Sequence, residues 1–289
     1  MISPEVRKKI KEIQIKTKRL INSSLIGDSR TAQKGFGFEF DQLREYTQGD
    51  DIRLIDWKAT ARSQNFLVRQ YFEERNRTIM ILLDCSGSTL FSSGIQRKWD
   101  VMAQVASMIA LICEYSKDRV GLVLFSDKIN MVVPPAKGAY HVRRIMEKIF
   151  SYQPDDSATN LKSAFDWIAK KRQRSMVSIV LSDFIDHGYE KSLAIAAKKS
   201  EMVAIRCLDP LEKEMPAVGL LPTIGFESGA FLSLNIAGSK GSLNALLHER
   251  LLAQNNLFKQ RSLDYFDITA GQPWMRESIN FFKRRIRYY

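Results

Sequence analysis

The strongest constraint on how this chain folds is a set of short, nearly unbroken apolar runs. They are Ile79-Met80-Ile81-Leu82-Leu83, Val120-Gly121-Leu122-Val123-Leu124-Phe125 and Met176-Val177-Ser178-Ile179-Val180-Leu181. None alternates apolar with polar residues, so a strand made from any of them is buried on both faces. Strands of that kind belong to parallel sheets covered by helices on both sides. Between the runs the period changes. Residues 97–116 place Met102, Val105, Ile109 and Ile112 on one helical face, and 138–150 and 159–172 also read as helices. A helix over 189–199 and a fourth strand over Met202–Leu208 follow. Strands alternating with helices predict an α/β fold with a doubly wound, mostly parallel sheet. Right-handed crossovers bring the C-terminal ends of the strands to one edge. Asp84 and Asp183, which end the first and third runs, are therefore expected along that edge.

The flanking segments differ in character. Ser3-Pro4-Glu5 is a helix start, and Val6, Ile10, Ile13 and Leu20 recur at helical spacing among lysines. Gly35-Phe36-Gly37-Phe38-Glu39-Phe40 alternates as a strand does, and Phe66–Phe72 reads as another strand. Between them, Gln48-Gly49-Asp50-Asp51 is turn chemistry. Ile52–Trp57 reads as a strand with Arg53 paired to a carboxylate and Trp57 anchored in the core; a partner-binding surface at Arg53 and Asp56 is the alternative. After Asp209-Pro210 come further loop signals, a possible strand over Ala230–Ile236, a helix over 241–267 and a basic aromatic tail. The expected division is 1–77, a helix and a small accessory β-rich module; 78–209, the α/β domain; and 210–289, a return segment packing with the accessory module.

The expected chemistry gathers in Asp84-Cys85-Ser86-Gly87-Ser88, directly after a buried strand. One carboxylate and two hydroxyls on a strand-to-helix loop suit a hard cation, which prefers oxygen ligands. They do not suit zinc, which favours thiolate and imidazole. Thr159 and Asp183 add oxygens at the same sheet edge. Each also has a plain structural reading: Thr159 as the N-cap of the helix after it, Asp183 as a cap of its turn. His141, His187 and His248 have neither metal-ligand nor triad spacing.

Asp-x-Ser-x-Ser with a later Thr and a strand-end Asp resembles the metal-ion-dependent adhesion site (MIDAS) of von Willebrand factor A domains. Gly35–Phe40, Leu43-Arg44-Glu45-Tyr46, Gly49-Asp50-Asp51, Arg53, Ile55-Asp56-Trp57, Ala61-Arg62, Asp209-Pro210 and Pro273-Trp274 resemble the bacterial domain of unknown function 58 family. The resemblance implies a von Willebrand factor A-like fold. It also implies Mg²⁺ (or Mn²⁺) held directly by Ser86, Ser88 and Thr159, with Asp84 and Asp183 acting through water or hydroxyls. One position would be left for an acidic residue of a protein ligand. It further implies a MoxR-type AAA+ ATPase as partner, in assembly or activation of protein complexes. Many family members begin with transmembrane helices; this chain opens on a charged helix, so a soluble variant is expected.

Charge and cysteines bound the remaining classes. The net charge is +12, but residues 1–30 hold eight basic against three acidic residues and 272–289 hold five against one. The 241 residues between are only +3, so nucleic acid is not the expected partner, and association of the basic ends with an anionic surface, nucleic acid or a membrane, remains an alternative. Three scattered cysteines without CxxC fit reduced thiols in the cytoplasm. No G-x-x-x-x-G-K-[ST] or G-x-S-x-G motif is present. A metal-dependent phosphatase using Asp84 is the enzymatic alternative. Ser86 stands where such enzymes carry their second Asp, so the chain is expected not to be an enzyme.

Overall fold

The computed structural model describes residues 3–26, 40–63, 65–71, 77–155, 157–171, 176–215, 220–224, 231–235, 240–276, 278–279 and 281–282. The alternation over residues 35–39 lies outside them. The chain forms two compact units, one of Met1–Lys18 with Arg77–Tyr289, the other of Arg19–Asn76.

The chain opens with helix α1 (Pro4–Ile26), where the Ser3 hydroxyl accepts a hydrogen bond from the Val6 amide at 3.3 Å. Ile10 and Ile13 are buried, as their spacing requires.

In the Arg19–Asn76 unit, strand β1 (Phe40–Glu45), helix α2 (Trp57–Thr60) and strand β2 (Leu67–Tyr71) follow in order, with β1 and β2 antiparallel. The expected strand over Ile52–Trp57 is not there. Asp51 accepts from the Arg53 amide and caps a 3-10 turn, and Asp56 accepts from the amides of Lys58 and Ala59 and caps α2. Short side-chain acceptors offer the backbone a local partner that competes with a strand ladder. Trp57 is not a core anchor. It is 61% exposed and stands edge to face with the Phe66 ring, at 6.4 Å between centroids. The turn before it is held by Arg44, whose guanidinium grips Asp50 with bonds of 2.7 and 2.5 Å. That grip, with the Thr47 amide, holds the Asp50 carboxyl below the usual carboxylate range.

The larger unit carries strand β3 (Thr78–Asp84), helix α3 (Lys98–Tyr115), strands β4 (Arg119–Phe125) and β5 (Ile129–Ala136), and helices α4 (Ala139–Ser151) and α5 (Leu161–Ala169). Strand β6 (Met176–Ser182), helix α6 (Glu190–Lys199), strand β7 (Glu201–Leu208) and the short helix α7 (Pro210–Lys213) come next. Strands β8 (Leu220–Ile224) and β9 (Phe231–Asn235), helix α8 (Lys240–Gln260) and strand β10 (Asp264–Thr269) complete the order. The central sheet runs β10-β7-β6-β3-β4-β5, parallel except for the β4–β5 pair.

One expectation gives way here. The helix expected over 241–267 ends at Gln260, and the chain then adds β10 as a parallel edge strand beside β7. The sheet therefore extends beyond the expected boundary at residue 209. β8 and β9 pair with each other, antiparallel, in a two-stranded sheet.

Side chains of β3 alternate between the two faces, as strand geometry demands. Met80 and Leu82 pack in one core with Phe165, Leu193 and Phe258 from α5, α6 and α8. Ile79 faces the opposite side and lines a cavity of about 80 Å³ with Ile109 and Ile112 of α3. The unbroken apolar runs thus reflect helices on both faces. Gly121 is the one break in the second run, and it has a steric cause. A Cβ there would lie 2.6 Å from the Met80 sulfur and 2.9 Å from the Val133 carbonyl oxygen.

β3 lies at the centre, with β4 on one side and β6 on the other. The chain leaves β3 toward β4 and later returns to β6, so strand order reverses there. Ligand crevices in open α/β sheets form outside the C-terminal ends of strands at such a reversal. Asp84 ends β3, and Ser182 ends β6, followed by Asp183.

Candidate metal centre

Asp84 ends β3 fully buried, and the chain turns at once, the Ser86 amide donating to the Asp84 carboxylate at 3.0 Å. The Cys85 amide bonds the Phe125 carbonyl at 2.8 Å, prolonging the β3–β4 ladder by one step. The Gly87 amide reaches the Ser157 carbonyl at 2.9 Å, and the Thr89 hydroxyl closes the turn onto the Ser86 carbonyl at 2.7 Å. Gly87–Leu90 is a 3-10 turn with Ser86 at its N-cap. This backbone frame leaves the hydroxyls of Ser86 and Ser88 free of capping duty.

The oxygens converge. The Ser86 hydroxyl donates to Asp84 Oδ1 at 2.6 Å, lies 3.2 Å from the Ser88 hydroxyl, and accepts from the Thr159 hydroxyl at 2.8 Å. Asp84 Oδ1 also accepts from the Ser86 amide, and Oδ2 accepts from the Ser182 hydroxyl at 2.5 Å. Asp84 and Ser86 form a buried floor, while Ser88 and Thr159 are half-buried at the rim. Burial, and then the charge of nearby Asp183, raise the Asp84 carboxyl above its ordinary range.

Asp183 is placed differently from the other four predicted residues. Its Oδ2 accepts from Lys98 Nζ at 2.7 Å and its Oδ1 from the Ile185 amide at 3.1 Å. Both side chains of the ion pair are 1% exposed. The turn-capping reading of Asp183 therefore applies, together with an ion pair that the sequence reasoning missed. The capping reading of Thr159 does not apply, because Asn160 caps α5 by accepting from the Ser163 amide. Arg53 and Asp56 lie in the Arg19–Asn76 unit; Asp56 is a helix cap, and Arg53 is exposed, 4.0 Å from Asp51.

Four further residues support the site. Ser182 locks Asp84, and Lys98 and Glu212 share an ion pair of 2.7 Å. Asp209 caps α7 in a capping box with Glu212 and binds both the amide and the hydroxyl of Ser93. A signal for Lys98 was present: it falls on the same helical face as Met102, Val105 and Ile109, where a lysine must find carboxylates.

The oxygen set fits a hard divalent cation. Among the described residues no three His, Cys, Asp or Glu side chains come together as a metal group. Here the donors are chiefly hydroxyls. An octahedral Mg²⁺ shell with bonds of about 2.0–2.1 Å has neighbouring oxygens about 2.9 Å apart. The Ser86–Thr159 and Ser86–Ser88 separations of 2.8 and 3.2 Å bracket that edge. The Cys85 thiol contributes nothing: it is buried, donates to the Phe125 carbonyl, and is pushed up to about 12 by burial.

Residues 42–243 match the family described as Protein of unknown function DUF58. The chain belongs to that family. An uncharacterized protein of Mycobacterium bovis is 26% identical over 236 residues, covering 81% of this DUF58 chain and 74% of the relative. An uncharacterized protein of Mycobacterium tuberculosis matches equally, at 26% over the same shares. Among solved structures, the conserved hypothetical protein BatB of Bacteroides thetaiotaomicron superposes with a TM-score of 0.49 and 13% identity, over 73% of this chain and 99% of that one. An aerotolerance-related membrane protein of Bacteroides fragilis gives 0.49 and 14%, over 74% and 100%. A von Willebrand factor type A protein of Catenulispora acidiphila gives 0.35 and 12%, over 49% and 34%. The sheet order and register, rather than these superpositions, define the fold of this DUF58 chain. Among its described residues, no helix is long and apolar enough to cross a membrane.

Proposed function

We propose that this DUF58 chain is a non-enzymatic, divalent-cation-dependent protein-binding module with a MIDAS-type site in a von Willebrand factor A-like domain. Ser86, Ser88 and Thr159 would hold Mg²⁺ or Mn²⁺, and Asp84 would orient the Ser86 hydroxyl from behind. When bound, the cation supplies a bonding position for a partner's Asp or Glu carboxylate. Neutral hydroxyl ligands leave the charge of such a cation largely unquenched, so an incoming anionic oxygen is strongly attracted. The observation that carries this reading is the Ser86 hydroxyl in contact with both the Thr159 and the Ser88 hydroxyls, above a buried carboxylate. The position of these groups at the strand-order reversal supports it further.

The partner side of the proposal rests on the family resemblance: a MoxR-type AAA+ ATPase in the cytoplasm, with a client protein bearing the acidic residue. The phosphatase alternative asks Asp84 to present a free carboxylate oxygen as nucleophile. Both of its oxygens already accept hydrogen bonds, which argues against that role. Affinity capture from a bacterial lysate with Mg²⁺, with EDTA, and with Ser86→Ala tests the whole. A partner retained only by the wild type in Mg²⁺ is expected; identical capture in EDTA and by the variant overturns cation dependence. Metal-dependent phosphoester turnover lost in Asp84→Asn would overturn the non-enzymatic reading.

A further inference from the structure

Lys98 is a buried cation placed beside a site suited to a cation. Its ammonium donates to Asp183 and to Glu212 at 2.7 Å each, and lies 5.8 Å from the centre of the Phe91 ring. Asp183 follows Ser182, whose hydroxyl holds Asp84. Lys98 therefore neutralises Asp183, a carboxylate for which no hydrogen bond to the hydroxyl cluster is found among the described residues. Glu212 gives the ammonium a second seat, on α7. Its other oxygen accepts from the Asp209 amide at 2.8 Å, which sets the position of the seat. Asp209 in turn binds Ser93, in the loop that leads from the cluster to Lys98.

We propose that Lys98 is a built-in counter-ion that a divalent cation at the hydroxyl cluster displaces from Asp183, the ammonium staying behind on Glu212. Lys98 and Glu212 are thus positioning residues that set the affinity and selectivity of the site for its cation, and this rests on the metal-binding reading above. A monovalent ammonium and a divalent ion compete for one carboxylate, so the ammonium lowers affinity for the divalent ion. A neighbouring unit charge changes a carboxylate's affinity for a proton by about ten- to a thousandfold, and an effect of similar order applies to a metal ion. Removal of Glu212 does the opposite of removal of Lys98, because it leaves the ammonium with Asp183 alone.

Calorimetric titration of the full chain with MgCl₂ and MnCl₂ tests this in the wild type, Lys98→Met, Lys98→Arg and Glu212→Gln. Glutamine keeps a carbonyl for the Asp209 amide, so that variant retains its cap. The expected result is binding about tenfold tighter in Lys98→Met and about tenfold weaker in Glu212→Gln, with Lys98→Arg close to the wild type. A wild type that binds with a Lys98→Met variant no tighter overturns this inference and leaves the metal-binding reading standing. If Lys98→Met binds where the wild type does not, the inference stands and the reading of the native site fails. Absence of binding in both overturns both. Should Lys98→Met not fold, Glu212→Gln decides, and unchanged or tighter binding there overturns the inference.

Discussion

Lys98 Nζ and Asp183 Oδ2 lie 2.7 Å apart, and each side chain is 1% exposed. Burial opposes the charge on Lys98, but the carboxylates of Asp183 and Glu212 outweigh it and raise its pKa. The pair joins the N-terminus of α3 to the residue that follows β6. Stability and the candidate site therefore share residues, and the two roles separate by mutation.

Removing Lys98 strands two carboxylates, whereas removing the Asp183 charge leaves the ammonium with Glu212. Breaking a buried pair by deleting one partner costs about 3–5 kcal/mol. Lys98→Met in the absence of divalent ions is expected near that range and Asp183→Asn well below it. Urea unfolding of both variants checks the order, and equal losses would mean that Glu212 does not hold the ammonium.

Thr159 and Asn160 are neighbours with different work. Asn160→Ala is expected to cost about 1 kcal/mol through the lost cap of α5 and to leave cation affinity unchanged. Thr159→Ala is expected to keep stability within about 0.5 kcal/mol and to lose most cation affinity. Thermal unfolding and calorimetry on both variants separate the two.

Gly121 admits no side chain without displacing Met80 or the β5 backbone at Val133. Overpacking of a core costs about 1–3 kcal/mol. Gly121→Ala is expected in that range, with partial recovery in Gly121→Ala/Met80→Ala, measured by denaturant midpoint. A neutral Gly121→Ala would show that β5 moves aside freely.

Arg206, 1% exposed, donates to Asp267 from Nε and Nη2, at 2.9 and 2.8 Å, and to Gln254 at 2.7 Å. It ties β7 to β10 and α8. Arg206→Met is expected to cost about 2–4 kcal/mol by leaving Asp267 and Gln254 without their partner. Limited proteolysis should then release the segment from α8 onward first; simultaneous loss of the whole sheet would contradict that order.

Cys85, Cys113 and Cys207 are buried and free, and burial raises all three thiols, Cys85 to about 12. The thiolate is the reactive form. A disulfide reagent at pH 8 is expected to modify none of the three until denaturant is added. Prompt native modification of Cys85 would mean that the loop after Asp84 opens readily.

Much of the architecture was legible in the residues. The apolar runs marked β3, β4 and β6 because a strand covered on both faces has no polar side to show. The Asp-Cys-Ser-Gly-Ser sequence marked the candidate site because oxygen-bearing residues followed a buried strand directly. β5 was not legible, since Pro134 and Pro135 interrupt an edge strand whose exposure pattern is mixed. β10 was hidden because Asp264-Tyr265-Phe266-Asp267 shows its burial only once β7 and α8 are beside it. Trp57 looked like a core anchor from its chemistry, and its exposure depends on where the two capped turns leave it.

The sequence by itself determined the alternating α/β plan, the edge where Asp84, Ser86 and Ser88 gather, and the concentration of positive charge at the two ends. These follow from local period and spacing, which any fold of the chain must obey. Only the tertiary structure decided that Thr159 joins Ser86 across 73 positions of sequence, and that Asp183 pairs with Lys98 across 85. Side-chain partners so far apart in the chain are chosen by strand order and by the cost of burying a charge alone, and neither is written in any one segment.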